Sequence, residues 1–351
     1  MKTVLVDFSN YDDFSGFGEI ARNYCPRLAA AQPEGLHFVF ILPERHRGEF
    51  GSHVDYLSRE HLKAELRRYR PHIHLWHATD QQFHYRRHQR GTLQLLTVHD
   101  LNYLHEKHGL HLLRHKIEMP WLIRRSDAIT VISEYVKHDV EAHIPFLDKE
   151  PQVIYNGISD VEHGPQRRPA FVGADDERFF IAIGQVRRKK NVHTLVPMMR
   201  YFPQHKLFIC GANHWAYADE IRQQIAPEDK GRILLTGKIA DDEKRWLYAH
   251  ADALLFPSTL EGFGIPVLEA MRFGTKVFSS RYSCLPEVCS THASYWDSYE
   301  PQAMAAVVNQ GICGWSRDGE AARQAAAYSR SFNYDRYTQQ YIQLYRRLLG
   351  L

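Results

Sequence analysis

The chain reads as an α/β protein built from two doubly wound domains, each a parallel sheet covered by helices. Three observations predict this. Short apolar runs of strand length alternate with helical stretches along all 351 residues, the pattern of successive βαβ units. One polar, aperiodic stretch, Ser159–Arg178, holds Gly164-Pro165, Arg167-Arg-Pro169 and Asp175-Asp-Glu177 and divides two such series. The length also suits two domains of ordinary size, each able to bury its own core.

In the first domain, residues 1–165, the strand candidates are Val4–Phe8, Phe38–Leu42, His72–Trp76, Leu93–Val98, Ala128–Ile132 and Gln152–Tyr155. Helical patterns lie between them at Gly18–Ala31, Arg59–Tyr69, Leu110–Arg125 and Glu134–Ile144. The second domain, residues 175–330, repeats the alternation with strands Phe179–Ile183, Lys206–Cys210, Arg232–Thr236, Ala253–Phe256 and Lys276–Ser279. Its helices are Asn191–Tyr201, Tyr217–Ile225, Asp241–His250, Pro266–Phe273, Pro301–Gln310 and Glu320–Ser329. The last segment, 331–351, holds a helix at Tyr334–Leu349 whose Tyr337, Tyr341, Leu344, Tyr345 and Leu348 recur at the spacing of one buried face. That face either completes the second domain's core or crosses back to the first.

Composition narrows the function classes. Apolar residues at 44% and charged residues at 24% are those of a soluble globular protein, and a net charge of +3 is too small to argue for nucleic acid. The five cysteines are odd in number and scattered, which suits a reducing cytoplasm. Met1–Asp7 reads as a first strand and not a signal peptide, and no run approaches the roughly 18 apolar residues of a membrane span. Residues 82–125 hold eight Lys/Arg against three Asp/Glu, with seven histidines. Within them Leu112, Leu113, Ile117, Trp121 and Leu122 interleave with Arg114, His115 and Lys116. Such a helix either lies on an anionic membrane, giving a cytoplasmic protein peripheral at the inner face, or packs its apolar side on the sheet.

The most informative segment is Glu261-Gly-Phe-Gly-Ile-Pro-Val-Leu-Glu269. Ala253-Leu-Leu-Phe-Pro-Ser258 before it is a short buried strand ending at a proline. Pro266 suits the first helical position, since its missing N–H would be unpaired there anyway, and Gly274 closes the helix. Gly262-Phe-Gly264 is then a strand-to-helix turn at the positive end of a helix dipole, an anion site. Glu269 is expected in the first turn, where a negative charge is favoured by about 0.3–1 kcal/mol. A phosphate turn between two carboxylates suits a ligand with phosphate and hydroxyl-rich parts, such as a nucleotide sugar.

This segment resembles the E-x7-E signature of the retaining family 4 glycosyltransferases, which have the GT-B fold of two Rossmann-like domains facing a cleft. The resemblance implies Glu269 as ligand of the donor ribose, Glu261 as ligand of the transferred hexose, and the backbone of Gly262, Phe263, Gly264 and Ile265 as the sugar and diphosphate cradle. Gly184-Gln-Val-Arg-Arg-Lys-Lys-Asn191 is similar to the family's phosphate turn. Lys190 matches its lysine and Lys189 replaces its arginine, while Gln185 stands where many members carry an arginine, leaving Arg187 or Arg188 to supply a second cation. Leu96-Thr-Val-His99-Asp100-Leu101 resembles the H-D-L that sets a histidine near the donor sugar, and Ser15-Gly16-Phe-Gly18 the glycine loop over the donor phosphates. Val153-Ile-Tyr-Asn-Gly-Ile158 and Ser283-Cys-Leu-Pro-Glu-Val288 match two further family stretches without evident chemistry. In GT-B enzymes the final helix commonly crosses back to the first domain.

The implied activity is metal-independent, retaining hexosyl transfer from a nucleotide-diphosphate sugar, GDP-mannose mildly favoured and UDP-sugars next, to a glycan or lipid-linked glycan. His99, Glu261 and Lys190 would be the catalytic set, with no cofactor beyond the donor. His72, His74 and His77 do not suggest zinc, because on a strand His77 would point away from the other two. Rival readings are a nucleotide-sugar 2-epimerase of the same fold and a non-catalytic sugar-nucleotide binding protein.

Overall fold

A computed structural model describes residues 1–13, 15–81, 89–106, 109–173 and 177–351. Part of the basic stretch 82–125, namely 82–88 and 107–108, and residues 174–176 of the polar stretch therefore lie outside the described residues. The chain divides into two units, Met1–Ser159 with Phe332–Leu351, and Asp160–Ser331. Residues 160–173 thus group with the second unit, where Arg167 pairs with Asp242 at 2.8 Å and Asp160 with Arg272 at 2.7 Å.

The first unit holds β1 (Lys2–Asp7), β2 (Leu36–Leu42), β3 (Asp55–Ser58), β4 (Leu75–Ala78), β5 (Leu93–Val98), β6 (Ala128–Val131) and β7 (Gln152–Val153). They form one sheet in the order β3-β2-β1-β4-β5-β6-β7, every described pairing parallel. The second unit holds β8 (Arg178–Ile183), β9 (His205–Cys210), β10 (Ile233–Gly237), β11 (Ala253–Phe256), β12 (Lys276–Ser280) and β13 (Ser294–Trp296), ordered β10-β9-β8-β11-β12-β13 and also parallel. In each sheet the winding reverses direction once, between β1 and β4 and between β8 and β11. Ligands of such sheets sit beyond the strand ends at that reversal.

The sequence-based elements need three corrections. Two strands escaped notice, β3 and β13, both short sheet-edge strands with too few residues to show alternation. The strand expected at His72–Trp76 runs instead over Leu75–Ala78, and His74 precedes it, accepting the Thr3 N–H on Nδ1 at 3.0 Å. The helix expected at Asn191–Tyr201 is broken into one α-turn, Leu195–Met198, between 3₁₀ turns. Asn191 is left-handed at φ 55°, and Pro197 lacks the N–H a longer helix would use.

The terminal helix runs over Tyr334–Leu349 and buries Tyr334, Tyr337, Tyr341 and Tyr345 in the core of the first unit. Asn333 caps it by accepting the Arg336 N–H at 2.8 Å, and Gly350 closes it at φ 69°. The hydroxyls of Tyr341 and Tyr345 are tied into the core of the unit. Tyr345 is hydrogen-bonded to Tyr24 at 2.7 Å and to His77 Nδ1 at 2.6 Å. His77 Nε2 lies 2.8 Å from Thr97 Oγ1, and Tyr341 is bonded to Thr97 at 2.9 Å and Thr130 at 3.0 Å. Both nitrogens of the fully buried His77 are therefore used within the core.

Burial pushes His77 down to about 3 from its ordinary 6.5. Between those values the unfolded chain binds a proton that the folded chain does not, so this stabilisation is present above about pH 6.5 and is lost as pH falls, by up to about 5 kcal/mol. Asp7, raised by burial from 3.8 to about 6, works in the opposite direction over a narrower range. The melting-temperature gap between wild type and His77→Gln should accordingly shrink from about pH 7 to about pH 4. A gap constant over that range would remove His77 from the account.

Candidate functional site

In the second unit the site grows from the ends of β8 and β11. Past β8 the chain turns at Gly184, whose N–H donates to the Cys210 carbonyl at 2.9 Å. The ends of β8 and β9 approach so closely that a Cβ on Gly211 would lie 1.9 Å from the Gly184 carbonyl oxygen. The basic turn that follows is fastened to the loop after β11, since the Thr259 N–H donates to the Lys189 carbonyl at 2.8 Å. This brings Lys190 Nζ to 2.5 Å from Glu261 Oε1, with Nζ also 5.0 Å from the centroid of the Phe256 ring. The Lys190 and Glu261 side chains are only 15% and 12% exposed, so their attraction is less screened than that of a surface pair. Gly184, Lys190, Phe256, Pro257 and Ser258 line a small cavity beside the pair.

The Ser283-Cys284 stretch has a definite task here. Ser283 Oγ accepts the Glu261 N–H at 3.0 Å, and the Cys284 thiol donates to the Glu261 carbonyl at 3.3 Å. The backbone carrying the carboxylate is thus held from the β12 side. Gly264, at φ 94°, caps the helix Ile265–Arg272, and a Cβ there would meet Leu285 Cδ2 at 2.8 Å. Only glycine takes that left-handed position without strain. The Phe263 side chain is buried beneath the turn.

Two expectations shift. Pro266 is the second residue of this helix, because the helix begins at Ile265. Glu269 consequently falls in the second turn, beyond the strongest part of the dipole, and no acidic residue occupies the first turn. Glu269 is 1% exposed, and both its oxygens are engaged: Lys244 Nζ donates to Oε1 and the Tyr248 hydroxyl to Oε2, each at 2.8 Å. Sequence reasoning missed Lys244 and Tyr248. They stand four apart on one face of the helix Asp241–His250, but nothing in that helix points to a partner more than twenty residues away.

The other basic residues diverge. Arg187 lies over the Trp215 ring at 4.5 Å, and Arg188 pairs with Glu220 at 2.6 Å and covers Tyr217 at 5.2 Å. Lys189 contributes its carbonyl to the clasp on Thr259.

In the first unit the glycine stretch is the first turn of a helix, Gly16–Ala31, and not a loop before it. The Ser15 hydroxyl caps the turn by accepting the Gly18 N–H at 3.3 Å, which draws both glycines into the helix. A Cβ on Gly18 would strike the Asp13 carbonyl at 2.0 Å, whereas Gly16 meets nothing within 4 Å. Phe17 between them sets its ring edge on His99, centroids 4.8 Å apart at 86°. The two stretches chosen from sequence in this unit therefore meet.

His99 follows β5 and is buried. Its N–H donates to Gln81 Oε1 at 3.0 Å, and Nε2 lies 2.8 Å from the Thr79 carbonyl. A carbonyl can only accept, so Nε2 carries the ring proton. Burial lowers the pKa, leaving a neutral ring with Nδ1 as an acceptor. Asp7 ends β1 and Asp80 follows β4, where Asn10 Nδ2 donates to Asp80 at 2.5 Å.

Residues 165–331 match the model described as glycosyl transferases group 1, and residues 20–162 the one described as glycosyltransferase family 4. The chain belongs to the family 4 glycosyltransferases. It is similar to the O-antigen chain mannosyltransferase B of Escherichia coli, 28% identical over 177 residues, covering 48% of this chain and 46% of the relative. The O-antigen chain mannosyltransferase RfbU of Salmonella typhimurium is 25% identical over 206 residues, 58% of this chain and 56% of its own. The lipopolysaccharide core biosynthesis mannosyltransferase LpcC of Rhizobium leguminosarum is 30% identical over 190 residues, 51% of each. The chain spans about half the length of these curated relatives.

Among solved structures, a sucrose-phosphate synthase of Thermosynechococcus elongatus matches with a TM-score of 0.74 at 18% identity over 100% of both chains. Anabaena HepE, solved with UDP and glucose, matches with a TM-score of 0.73 at 15% identity over 99% of this chain and 100% of its own. The fold of this family 4 member is GT-B.

The packing of Glu269 makes it structural as well as a candidate ligand. Glu269→Ala strands Lys244 and Tyr248 and should lower stability by about 2–4 kcal/mol in denaturant unfolding. Glu269→Gln, which keeps an acceptor for Tyr248, should lose less. An alanine variant that unfolds like wild type would show that the trio does not hold the helix.

Proposed function

We propose that this protein is a retaining, metal-independent glycosyltransferase that moves a hexose, with mannose from GDP-mannose as the first choice, onto a glycan or lipid-linked glycan of a cell-surface polysaccharide. The observation that carries the reading is the Lys190–Glu261 pair, held 2.5 Å apart beside a helix N-terminus in a family 4 chain. The mannosyl donor is favoured by three relatives named for mannosyl transfer. Those names also favour transfer over the epimerase and binding-protein readings.

In this reading the second unit binds the donor. When the bond between the anomeric carbon and the diphosphate oxygen breaks, negative charge collects on the diphosphate. Lys190 and the N–H groups opening the helix Ile265–Arg272 are fixed charges and dipoles suited to that change. Glu261, held by Ser283 and Cys284, would accept hydrogen bonds from the hexose hydroxyls. Glu269, fixed by Lys244 and Tyr248, is the candidate ribose ligand, and His99 with its acceptor Nδ1 the candidate for a sugar hydroxyl in the first unit. The acceptor oxygen would attack the anomeric carbon from the face the diphosphate leaves, and its proton would pass to the departing diphosphate oxygen.

Lys190→Ala should lower turnover about 10²-fold or more without unfolding the protein, because it removes a charge aimed at the leaving group. In a thermal-shift panel of GDP, UDP, dTDP and ADP sugars, GDP-mannose should give the largest rise; a ligand at 100 times its Kd adds about 2.7 kcal/mol. Near-normal turnover of the variant, or a larger shift with another donor, would overturn the corresponding part of the proposal.

Activity should also survive EDTA, since in this reading Lys190 and the helix N-terminus would take the charge that a divalent cation otherwise takes. Loss with chelator and recovery with Mg²⁺ or Mn²⁺ would contradict the metal-independent reading.

A further inference from the structure

We propose that the helix Gly109–Arg125 of the first unit is a membrane-docking element that seats an exposed apolar stripe in the interface of an anionic bilayer. Nine large apolar residues are markedly exposed among the described residues, and four of them lie on this one helix: Leu110 (83%), Leu113 (55%), Ile117 (63%) and Trp121 (41%). Their spacing of three, four and four residues places them along a single face. Scattered exposed apolar residues need no explanation, but a continuous stripe does.

The helix does not hide this face against the sheet. Its buried residues are Met119, Pro120 and Ile123, which anchor the opposite side to the domain. The sequence left open whether the apolar side packs inward or meets a surface; the structure buries one apolar side and turns a second outward.

Charge selects the occupant. The helix carries Arg114, Lys116, Arg124 and Arg125 against one acid, Glu118, which Arg114 engages at 2.7 Å. Four cations less one carboxylate leave an excess of +3 around the stripe. A second copy of this chain docking by two-fold symmetry would set this patch against itself, cation facing cation. An anionic headgroup layer complements both features at once, taking the apolar side chains at its acyl boundary and the cations among its phosphates. The Arg125 guanidinium lies 4.9 Å from the Trp121 ring centroid, an amphipathic pair of the kind that sits at a headgroup level. No described helix is long and apolar enough to cross a membrane, so the contact is one of lying on the surface.

The test is vesicle flotation of the whole purified protein. It should rise with phosphatidylcholine vesicles containing about one-third phosphatidylglycerol, release partly in high salt, and stay behind with phosphatidylcholine alone. The triple change Leu113→Gln, Ile117→Gln and Trp121→Gln should lower partitioning at least about tenfold, and the pair Lys116→Glu and Arg125→Glu should do the same. These side chains are exposed, so melting temperatures should hold; if the triple variant melts early, Ile117→Gln alone and the charge pair decide. Failure of wild type to float with anionic vesicles would overturn the proposal, as would variants that float like wild type or equal binding to neutral vesicles. A concentration-dependent doubling of mass in light scattering that the triple variant abolishes would instead assign the stripe to a second copy.

Discussion

The Tyr345 hydroxyl, set between Tyr24 and His77 in the core of the first unit, is the contact on which the chain's topology turns. A buried hydroxyl or imidazole costs free energy unless its hydrogen bonds are made. Here Tyr24, Tyr345, His77, Thr97, Thr130 and Tyr341 satisfy one another only when the last helix lies on the first sheet. An apolar face alone could slide along the sheet; a set of paired polar groups has one register. The chain therefore leaves the first unit after Ser159 and returns at Phe332.

A different constraint shapes the candidate site of the second unit. Its residues come from three separate turns, after β8, β11 and β12, each at the carboxyl end of a parallel strand. Contacts to the backbone join the turns: the Thr259 N–H to the Lys189 carbonyl, and the Ser283 hydroxyl and Cys284 thiol to the N–H and carbonyl of Glu261. Lys190 and Glu261 meet because their backbones are fixed. Pre-positioned charge of this kind costs no reorganisation when charge develops on a ligand, which is why such a turn suits phosphate chemistry.

Glu269 shows how one residue can serve two purposes. Its carboxylate is nearly inaccessible and compensated by a lysine and a tyrosine from the neighbouring helix. That trio locks the helix bearing the anion turn to the helix Asp241–His250. Its orientation toward a ribose, on the reading proposed above, would be inherited from a structural contact and not from a flexible surface glutamate.

Much of this was legible in the sequence, because much of it is local. Strand and helix periodicity, the proline and glycine of the Glu261–Gly274 segment, and the tyrosine face of Tyr334–Leu349 are short-range signals that survive without a fold. Order along the chain was enough to identify the family. What failed was either too short or not local. The edge strands β3 and β13 hold four and three residues. Lys244 and Tyr248 are recognisable only once the fold sets them against Glu269, and Phe17 only once it touches His99. The helix Gly109–Arg125 is the sharpest case, since its sequence permits an inward or an outward stripe. Only the packing of Met119, Pro120 and Ile123 decided it, because a helix can bury one face on a sheet and must leave the other to whatever lies outside.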